Sequence, residues 1–219
     1  MDIRLLIPDA LLRSAVRLFA VRRKLVFTIN VDQLRDCRPK IPAVYRLGSR
    51  ADLASFSLNF YGDDPASGQY SLDRLAAGDQ LVVAELDGHT VFSGWLMFGQ
   101  IDMGVRNLYP LGAGSVASYR LFTRETLRGN NLSAAYFSFL KQYLPGKGIT
   151  RIVSWVEGRN AGSRRAHESA GFQPAGVVWH LRILGKSLFW MSAATTANFL
   201  GGRLNEVENR LTGTGAETI

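Results

Sequence analysis

The sequence predicts a mixed α+β fold, and two observations carry that prediction. Residues 80–86 and 89–98 are rich in β-branched and aromatic residues, and the turn dipeptide Asp87-Gly88 joins them, which is typical of a β-hairpin. After a third strand-like segment at residues 115–123, helix-like and strand-like segments alternate. The order therefore combines an antiparallel meander with an αβα stretch.

Local patterns of the same kind predict the remaining elements. The predicted strands are residues 25–29, 80–86, 89–98, 115–123, 149–156, 177–184 and 187–191. The predicted helices are residues 52–61, 71–77, 130–144, 160–170 and 198–211. Residues 36–50 contain Pro39, Pro42 and Gly48, which favour a loop.

The composition is typical of a globular protein with a substantial core. Of the 219 residues, 47% are hydrophobic and 20% are charged. Cys37 is the single cysteine, which excludes an intrachain disulfide and a cysteine-based zinc site, and we expect no metal. No run reaches the roughly 18 apolar residues of a membrane span, and charged residues interrupt the apolar start. We therefore expect a cytoplasmic protein.

The positive charge is concentrated near the N-terminus. The formal net charge is +8, and residues 1–50 contain 11 Lys or Arg but only 4 Asp or Glu. Residues 1–24 predict a basic amphipathic helix or extension, in which Arg13 and Arg17 are one turn apart. A basic surface attracts acidic proteins or anionic lipid headgroups, so peripheral contact with a membrane stays open. A solvated basic face without a dedicated partner is the alternative.

A possible phosphate-binding turn follows the strand at residues 115–123. Arg128, Gly129 and small polar residues precede the helix that begins near Asn130. The free amides and the dipole at a helix N-terminus attract anions, so such a turn can hold a pyrophosphate. An ordinary helix start is the alternative, because many helices begin after a Gly-Asn pair.

A second capped helix follows the next strand. Asn160 is a good helix cap, Ser163 lies one turn into the helix, and Gly171 ends it. Taken alone, this segment predicts only a short helix between two strands.

Together, in this order, the two segments resemble the GNAT superfamily of acyltransferases. The phosphate loop of that family runs Arg/Gln-x-x-Gly-x-Gly/Ala, and here Arg128 leads while Asn131 and Ser133 replace the small residues. The later family segment runs Asn-x-x-Ser/Ala-x-x-x-Tyr-Glu-x-x-Gly-Phe. The matching residues are Asn160, Ser163, Glu168, Gly171 and Phe172, with His167 at the tyrosine position.

The resemblance covers residues 80–191, and it implies a fold and a co-substrate. The implied fold is a central mixed, mostly antiparallel twisted sheet of about seven strands flanked by helices. The implied co-substrate is acetyl-CoA or another acyl-CoA, whose pantetheine arm would lie between two diverging strands. The residues implied to bind it are Leu121, Phe122, Thr123, Arg128, Gly129, Asn130, Asn131, Leu132, Ser133, Asn160 and Ser163.

Direct attack on a thioester requires a proton for the leaving thiolate and a base for the acceptor ammonium. His167 is the candidate acid, because an imidazolium can donate a proton near neutral pH; a packing role is the alternative. Glu85, in a predicted strand, is the candidate base. The alternatives for the base are Glu125, Glu157, Tyr119 and a chain of water molecules.

The sequence thus predicts an acyltransferase domain at residues 25–192, between the extension at residues 1–24 and a C-terminal helix and flexible tail at residues 193–219. We expect it to move an acyl group, acetyl in the first instance, to an amine of a small molecule, an amino sugar or a peptide. One alternative is a long-chain donor on an acyl carrier protein that docks on the basic residues. Another is a non-catalytic CoA-binding or interaction module. Because no nucleic-acid motif accompanies the basic residues, we do not expect a nucleic-acid partner.

Overall fold

An eight-stranded sheet organises the chain in a computed structural model that describes residues 19–56, 65–102, 108–183 and 186–192. The strands are β1 (Phe19–Asn30), β2 (Val44–Leu47), β3 (Gln80–Leu86), β4 (His89–Phe98), β5 (Gln100–Asp102), β6 (Leu108–Pro110), β7 (Ser115–Thr123), β8 (Arg151–Glu157), β9 (Gln173–Ile183) and β10 (Lys186–Met191). The helices are α1 (Arg50–Phe56), α2 (Pro65–Ala76), α3 (Leu132–Tyr143) and α4 (Ala161–Ser169). Short 3-10 turns lie at Val31–Gln33, Glu125–Leu127 and Pro145–Lys147.

The strands of the large sheet follow the order β10-β9-β1-β8-β7-β4-β3-β2, and β5 and β6 form a separate pair. Neighbours in the large sheet are antiparallel except β7 and β8, which are parallel. The predicted mixed, mostly antiparallel sheet flanked by helices is confirmed. The additional strand is β2, in a segment whose prolines favour a loop; it becomes a strand by pairing with the distant β3.

The strand β1 lies in the middle of the sheet, between β8 and β9. The strand predicted at residues 25–29 therefore extends back to Phe19, and residues 19–24 are extended rather than helical. The cause is long-range pairing, because Arg23 and Lys24 lie opposite Trp179 and Val178 of β9, and such pairing overrides local helical spacing. The remainder of the predicted extension, residues 1–18, lies outside the described residues.

Apolar side chains pack on both faces of the sheet. On the face covered by α3, Phe27 of β1 packs in one cluster with Tyr136 and Leu140. On the opposite face, Val26 belongs to a second cluster that includes Leu53 of α1. Successive residues of a strand point to opposite faces, so the central strands are buried on both sides. A ligand therefore has access to them only where the strands separate.

The parallel strands β7 and β8 separate part of the way along their length. Their pairing runs from Ser115 and Arg151 to Ser118 and Ser154, although β7 continues to Thr123 and β8 to Glu157. A bulge in β7 lies just beyond this point, where Arg120 has a φ of 49° and the register with β4 shifts. Bulges bend a strand and increase its local twist. The carboxyl-terminal ends of the two strands thus diverge.

Some predicted helices lie partly outside the described residues. The helix predicted at residues 52–61 is α1 as far as Phe56, and the helix predicted at residues 71–77 is the second half of α2. The helix predicted at residues 198–211 and the tail lie outside the described residues. Among the residues described, none of the helices combines the length and the apolar character that crossing a bilayer requires.

Candidate active site

A cleft of about 740 Å³ opens where β7 and β8 diverge. The strand β7 contributes Leu121, Phe122 and Thr123 to its lining. The turn before α3 and the start of that helix contribute Arg128, Gly129, Asn131, Leu132 and Ser133. The start of α4 contributes Asn160, Gly162 and Ser163. The N-terminal turns of two helices therefore border one cavity, whose volume is within the usual range for small-molecule sites.

The turn before α3 has the backbone geometry of a tight loop. After the 3-10 turn Glu125–Leu127, Gly129 has a φ of 86° and Asn131 a φ of 61°, and α3 begins at Leu132. The side chain of Asn130 donates from Nδ2 to the Leu127 carbonyl at 3.1 Å and braces the turn. The first turn of a helix leaves amides without intrahelical acceptors, and its dipole favours an anion there.

The opposite wall depends on the cap of α4. Asn160 Oδ1 accepts a hydrogen bond from the Ser163 amide at 3.0 Å, so the predicted capping role of Asn160 is confirmed. The cap fixes where α4 begins and so places Gly162 and Ser163 at the cleft.

The structure brings together ten of the eleven residues that the sequence predicts to bind the co-substrate. Asn130 alone does not border the cleft, since its side chain turns back to Leu127. The binding role of these residues stays a prediction.

Several residues of the lining were missed by the sequence analysis. Three of them, Gly162, Ala166 and Ser169, share one face of α4 with Arg165, whose contact with the nucleotide phosphates is a possibility that the sequence offers. The helical spacing of these positions is a signal that could have identified the other three. Lys40 had no such signal, because it reaches the cleft from the loop between β1 and β2. The other missed residues are Leu127 and Ala134.

The charge of the lining is entirely positive. Lys40, Arg128 and Arg165 border the cleft, and no Asp or Glu is among its lining residues in the described part of the chain. Arg128 Nη1 donates to the exposed Glu125 at 2.9 Å, which partly balances its charge. Within the described residues, no group of three or more His, Cys, Asp or Glu side chains could hold a metal ion.

His167 lies on the buried side of α4 and does not border the cleft; it is 1% exposed. Its Nδ1 donates to the Ser163 carbonyl at 2.8 Å, and its Nε2 lies 2.8 Å from Ser154 Oγ. The rings of Phe137 and Phe172 pack around it. Burial lowers the pKa of His167 to about 4. The imidazole is therefore neutral at pH 7, which does not favour the predicted role as proton donor, and that role stays a prediction.

Glu85 is engaged in a network at the edge of the sheet and does not border the cleft. Arg46 Nη2 donates to Glu85 Oε1 at 2.5 Å and to Asp52 Oδ1 at 2.6 Å. The hydrogen bond from Arg46 lowers the pKa of Glu85, which makes this carboxylate a weaker base. Asp52 also accepts from the Ser49 amide, so the network fastens α1 to β2 and β3. The role of Glu85 as general base stays a prediction that this position does not favour.

The alternative bases also have partners. Glu157 lies 4.0 Å from the Lys24 ammonium, and Glu125 accepts from Arg128. The Tyr119 hydroxyl donates to buried Asp79, and burial raises the pKa of Tyr119 well above its usual range. None of these three borders the cleft.

Similarity to known proteins agrees with this geometry. The family model of the GNAT acetyltransferases matches residues 50–172. The chain is similar to a GNAT-family acetyltransferase from Colwellia psychrerythraea, with 15% identity, a TM-score of 0.56, and coverage of 75% of this chain and 57% of that one. It is similar to a GCN5-related N-acetyltransferase from Kribbella flavida, with 15% identity, a TM-score of 0.51, and coverage of 82% and 65%.

A third similar structure is the GCN5-related glucosamine N-acetyltransferase region of a fungal multi-domain GH3 β-N-acetylglucosaminidase. It shares 14% identity with a TM-score of 0.52, over 76% of this chain and 21% of that one. The chain thus spans less than two thirds of each of these three structures, and at these identities the likeness shows the fold alone. A search of curated proteins found no significant match.

The family match covers more than half of the chain and contains both segments on which the resemblance was based. It begins with α1 and ends at Phe172, so it includes β7, the turn before α3, and α4. The resemblance read from the Arg128 turn and the Asn160 segment is therefore confirmed, and the chain belongs to the GNAT family of acetyltransferases, which are acyl-CoA-dependent N-acyltransferases.

Proposed function

We propose that the protein transfers an acetyl group from acetyl-CoA to the amine of an acceptor, by direct attack of the amine on the thioester. The observation that carries the proposal is the position of the cleft, at the divergence of β7 and β8 and between the first turns of α3 and α4. Family membership supports acyl transfer in general. The donor, the acceptor and the residue roles below belong to the proposal.

The cleft has properties that suit the CoA moiety. Three cationic side chains and no carboxylate line it in the described part of the chain, which favours a ligand with several phosphates. Gly129 and Asn131 turn the chain into α3 with positive φ values, so backbone amides are available to an anion there. We propose that the pyrophosphate is held by this turn, as the sequence predicts for Arg128 to Ser133.

The free edge of β7 suits the pantetheine arm. Pairing with β8 ends at Ser118, so the part of β7 that includes Leu121 and Thr123 has no partner strand on that side. An extended ligand can use such an edge in the manner of an added strand. Asn160 and Ser163 border the cleft from the side of α4 and would contact the arm there.

The proposed reaction forms a carbon–nitrogen bond and breaks a carbon–sulfur bond, the amine loses a proton, and the thiolate gains one. The contribution of the chain is chiefly positional, since holding the reacting groups in line lowers the barrier. Pairing with β4 holds β7 in place, so a backbone amide on the opposite, unpaired edge of β7 would be a preorganised donor for the developing oxyanion.

Neither of the predicted catalytic residues, His167 and Glu85, borders the cleft, so we propose that they do not transfer protons to or from the substrates directly. We propose that His167 acts as a positioning residue, since it links α4 through Ser163 to β8 through Ser154. Glu85 likewise fastens α1 through Arg46. Proton transfer would then run through water, the alternative that the sequence left open for the base.

Calorimetric titration with acetyl-CoA and with a long-chain acyl-CoA tests the donor, and release of free CoA thiol in the presence of amines tests the transfer. Glucosamine and a peptide amine are suitable first acceptors, because they represent the amino-sugar and peptide classes of amine that the sequence predicts. We expect acetyl-CoA to bind at micromolar strength and thiol release to require an amine. Binding without release under any amine would favour a non-catalytic CoA-binding module instead.

The same titration also tests the alternative that the acyl donor is an acyl carrier protein. It predicts weak binding of both CoA thioesters and a donor reaction that salt suppresses, because docking would use surface charge. Of the basic residues that motivate it, Arg22 and Arg23 are exposed on β1, while Arg13 and Arg17 lie outside the described residues.

A further inference from the structure

We propose that Lys40 binds a phosphate group of the CoA nucleotide, and that Asn131 holds Lys40 in the position from which it does so. This inference rests on the proposed function and deepens it. It assigns a binding residue from the loop between β1 and β2, far in sequence from the turn before α3. It also predicts that the cleft prefers free CoA thioesters to donors that lack the nucleotide.

Residues 34–43, here called the strap, run from the 3-10 turn that follows β1 to the beginning of β2, across α4 and α3. The Arg35 amide donates to the Ala170 carbonyl at the end of α4 at 3.0 Å. The Cys37 amide donates to Ser138 Oγ of α3 at 2.6 Å. These contacts tie the first half of the strap to both helices that border the cleft.

The second half of the strap is tied to the turn before α3. The Lys40 amide donates to the Asn130 carbonyl at 3.0 Å, and Asn131 Nδ2 donates to the Arg38 carbonyl at 2.9 Å. Two hydrogen bonds thus join Arg38 and Lys40 of the strap to two consecutive residues of the turn, Asn130 and Asn131. Their combined effect is to hold Lys40 at the cleft, where it is one of the lining residues.

The identity of residue 131 fits this arrangement. Its φ of 61° and ψ of 19° place it in the left-handed region, which glycine and asparagine adopt more readily than other residues. Glycine could adopt this backbone, but it could not donate to the Arg38 carbonyl. Asparagine therefore satisfies the turn and anchors the strap at the same time.

The charges around Lys40 favour a phosphate ligand. Among the described residues, no ion pair joins the Lys40 ammonium to a carboxylate, whereas Arg128 is paired with Glu125. The side chain of Lys40 is exposed, so solvent screens its charge and the expected gain is moderate. A lysine bound to a phosphate acts as a point charge and tolerates several geometries.

Calorimetric titration of CoA, dephospho-CoA and pantetheine into the full chain tests the inference. The variants are Lys40→Gln, Asn131→Gly and the double variant. The control is Lys147→Gln, which removes an equal charge at the far end of α3, where Lys147 lies over the Tyr143 ring and outside the cleft. Thermal unfolding of each variant establishes that it is folded.

We expect Lys40→Gln to weaken CoA binding roughly fivefold and to lower its salt dependence, as for loss of one exposed charge-assisted contact. Pantetheine, which has no phosphate, should bind the variant as it binds the wild type. A greater loss for CoA than for dephospho-CoA would assign Lys40 to the ribose phosphate, and an equal loss would assign it to the pyrophosphate. Either result supports the inference.

Asn131→Gly should weaken CoA binding in the wild-type background and have little further effect when Lys40 is already glutamine. Equal losses in both backgrounds would overturn the positioning role of Asn131, since two independent effects are additive. The inference would be overturned, and the proposed function left standing, by any of three results. Lys40→Gln could bind CoA as tightly as the wild type, Lys147→Gln could lose as much CoA affinity as Lys40→Gln does, or Lys40→Gln could also lose affinity for pantetheine. Absence of CoA binding by the wild-type protein would overturn the proposed function together with it.

Discussion

His167 Nε2 lies 2.8 Å from Ser154 Oγ, and this contact joins α4 to β8 in the interior of the protein. The Ser154 hydroxyl also lies 2.9 Å from the Ser118 carbonyl on β7. Ser118 and Ser154 are the last pair of the parallel register. The histidine thus meets the sheet at the point where its two central strands begin to diverge.

The burial of His167 predicts a pH dependence of stability. The pKa of a free imidazole is near 6.5, and burial lowers that of folded His167 to about 4. Between these values the unfolded chain binds a proton that the folded chain does not. Neutral His167 therefore makes its full contribution to the free energy of unfolding above about pH 6.5. This contribution falls as the pH is lowered and stops changing below about pH 4, and the total loss is about 3 kcal/mol.

Urea unfolding of the wild type and of His167→Phe, at about pH 7.5 and about pH 5, measures this contribution. We expect the free energy of unfolding of the wild type to fall more steeply with decreasing pH than that of the variant. His89→Gln is the control, because His89 is exposed at the start of β4, next to the hairpin turn. Equal slopes for wild type and His167→Phe would show that the ring is not held neutral.

The acid role predicted for His167 gives a distinct kinetic expectation. With a pKa of about 4, about one ring in a thousand carries the proton at pH 7. If His167 supplies the proton to the thiolate, the rate of the chemical step should rise as the pH falls towards that value. A pH–rate profile of the wild type and of His167→Gln tests this, and identical profiles would leave His167 with a positioning role only.

Arg74, Asp79 and Tyr119 form a buried group, and we expect a large loss of stability when the charge of the Asp79 carboxylate is removed. Arg74 Nε donates to Asp79 Oδ2 at 2.7 Å, and the Tyr119 hydroxyl donates to the same oxygen. Asp79→Asn would leave the largely buried guanidinium without its carboxylate, at a cost of about 3 kcal/mol. Tyr119→Phe removes one donor and should cost about 1 kcal/mol.

Urea unfolding of these two variants compares the two costs. Asp73→Asn is the control, because the only described contact of the Asp73 carboxylate is an exposed hydrogen bond from Gln69. Its replacement should change the free energy of unfolding by less than about 0.5 kcal/mol. A cost for Asp79→Asn no larger than that of Tyr119→Phe would contradict the importance of the ion pair.

Gly94 packs closely against a residue of the cleft, so we expect a larger side chain at this position to affect both stability and CoA binding. A Cβ atom at this position would lie 2.8 Å from Leu121 Cδ2 and 2.9 Å from Tyr136 Cε2. Leu121 borders the cleft, and Tyr136 is fully buried. Gly94→Ala should therefore lower the free energy of unfolding by about 1–3 kcal/mol through overpacking and weaken CoA binding by displacing Leu121.

Unfolding in urea and calorimetric titration with CoA measure the two effects on Gly94→Ala. Gly146→Ala is the control, since a Cβ atom there would meet nothing within 4 Å. Unchanged stability and unchanged affinity in Gly94→Ala would show that the neighbouring side chains accommodate the methyl group.

The sequence by itself determined the features that neighbouring residues encode. Asp87-Gly88 specifies the turn between β3 and β4, Asn160 caps α4, and Gly129 with Asn131 supplies the positive φ values before α3. Each depends on the conformational preference of one or two residues. These local signals, in their order along the chain, were sufficient to identify the family and to predict ten residues that line the cleft.

Tertiary structure alone decided which distant segments meet. The insertion of β1 between β8 and β9 converted residues 19–24 into strand. The strap brought Lys40 to the cleft, and the packing of α4 on the sheet made His167 neutral. Contacts between residues far apart in sequence depend on strand register and helix packing, which leave no periodic signal in the segments concerned. Hydrogen bonding and desolvation at those contacts then set the protonation state of each titratable side chain.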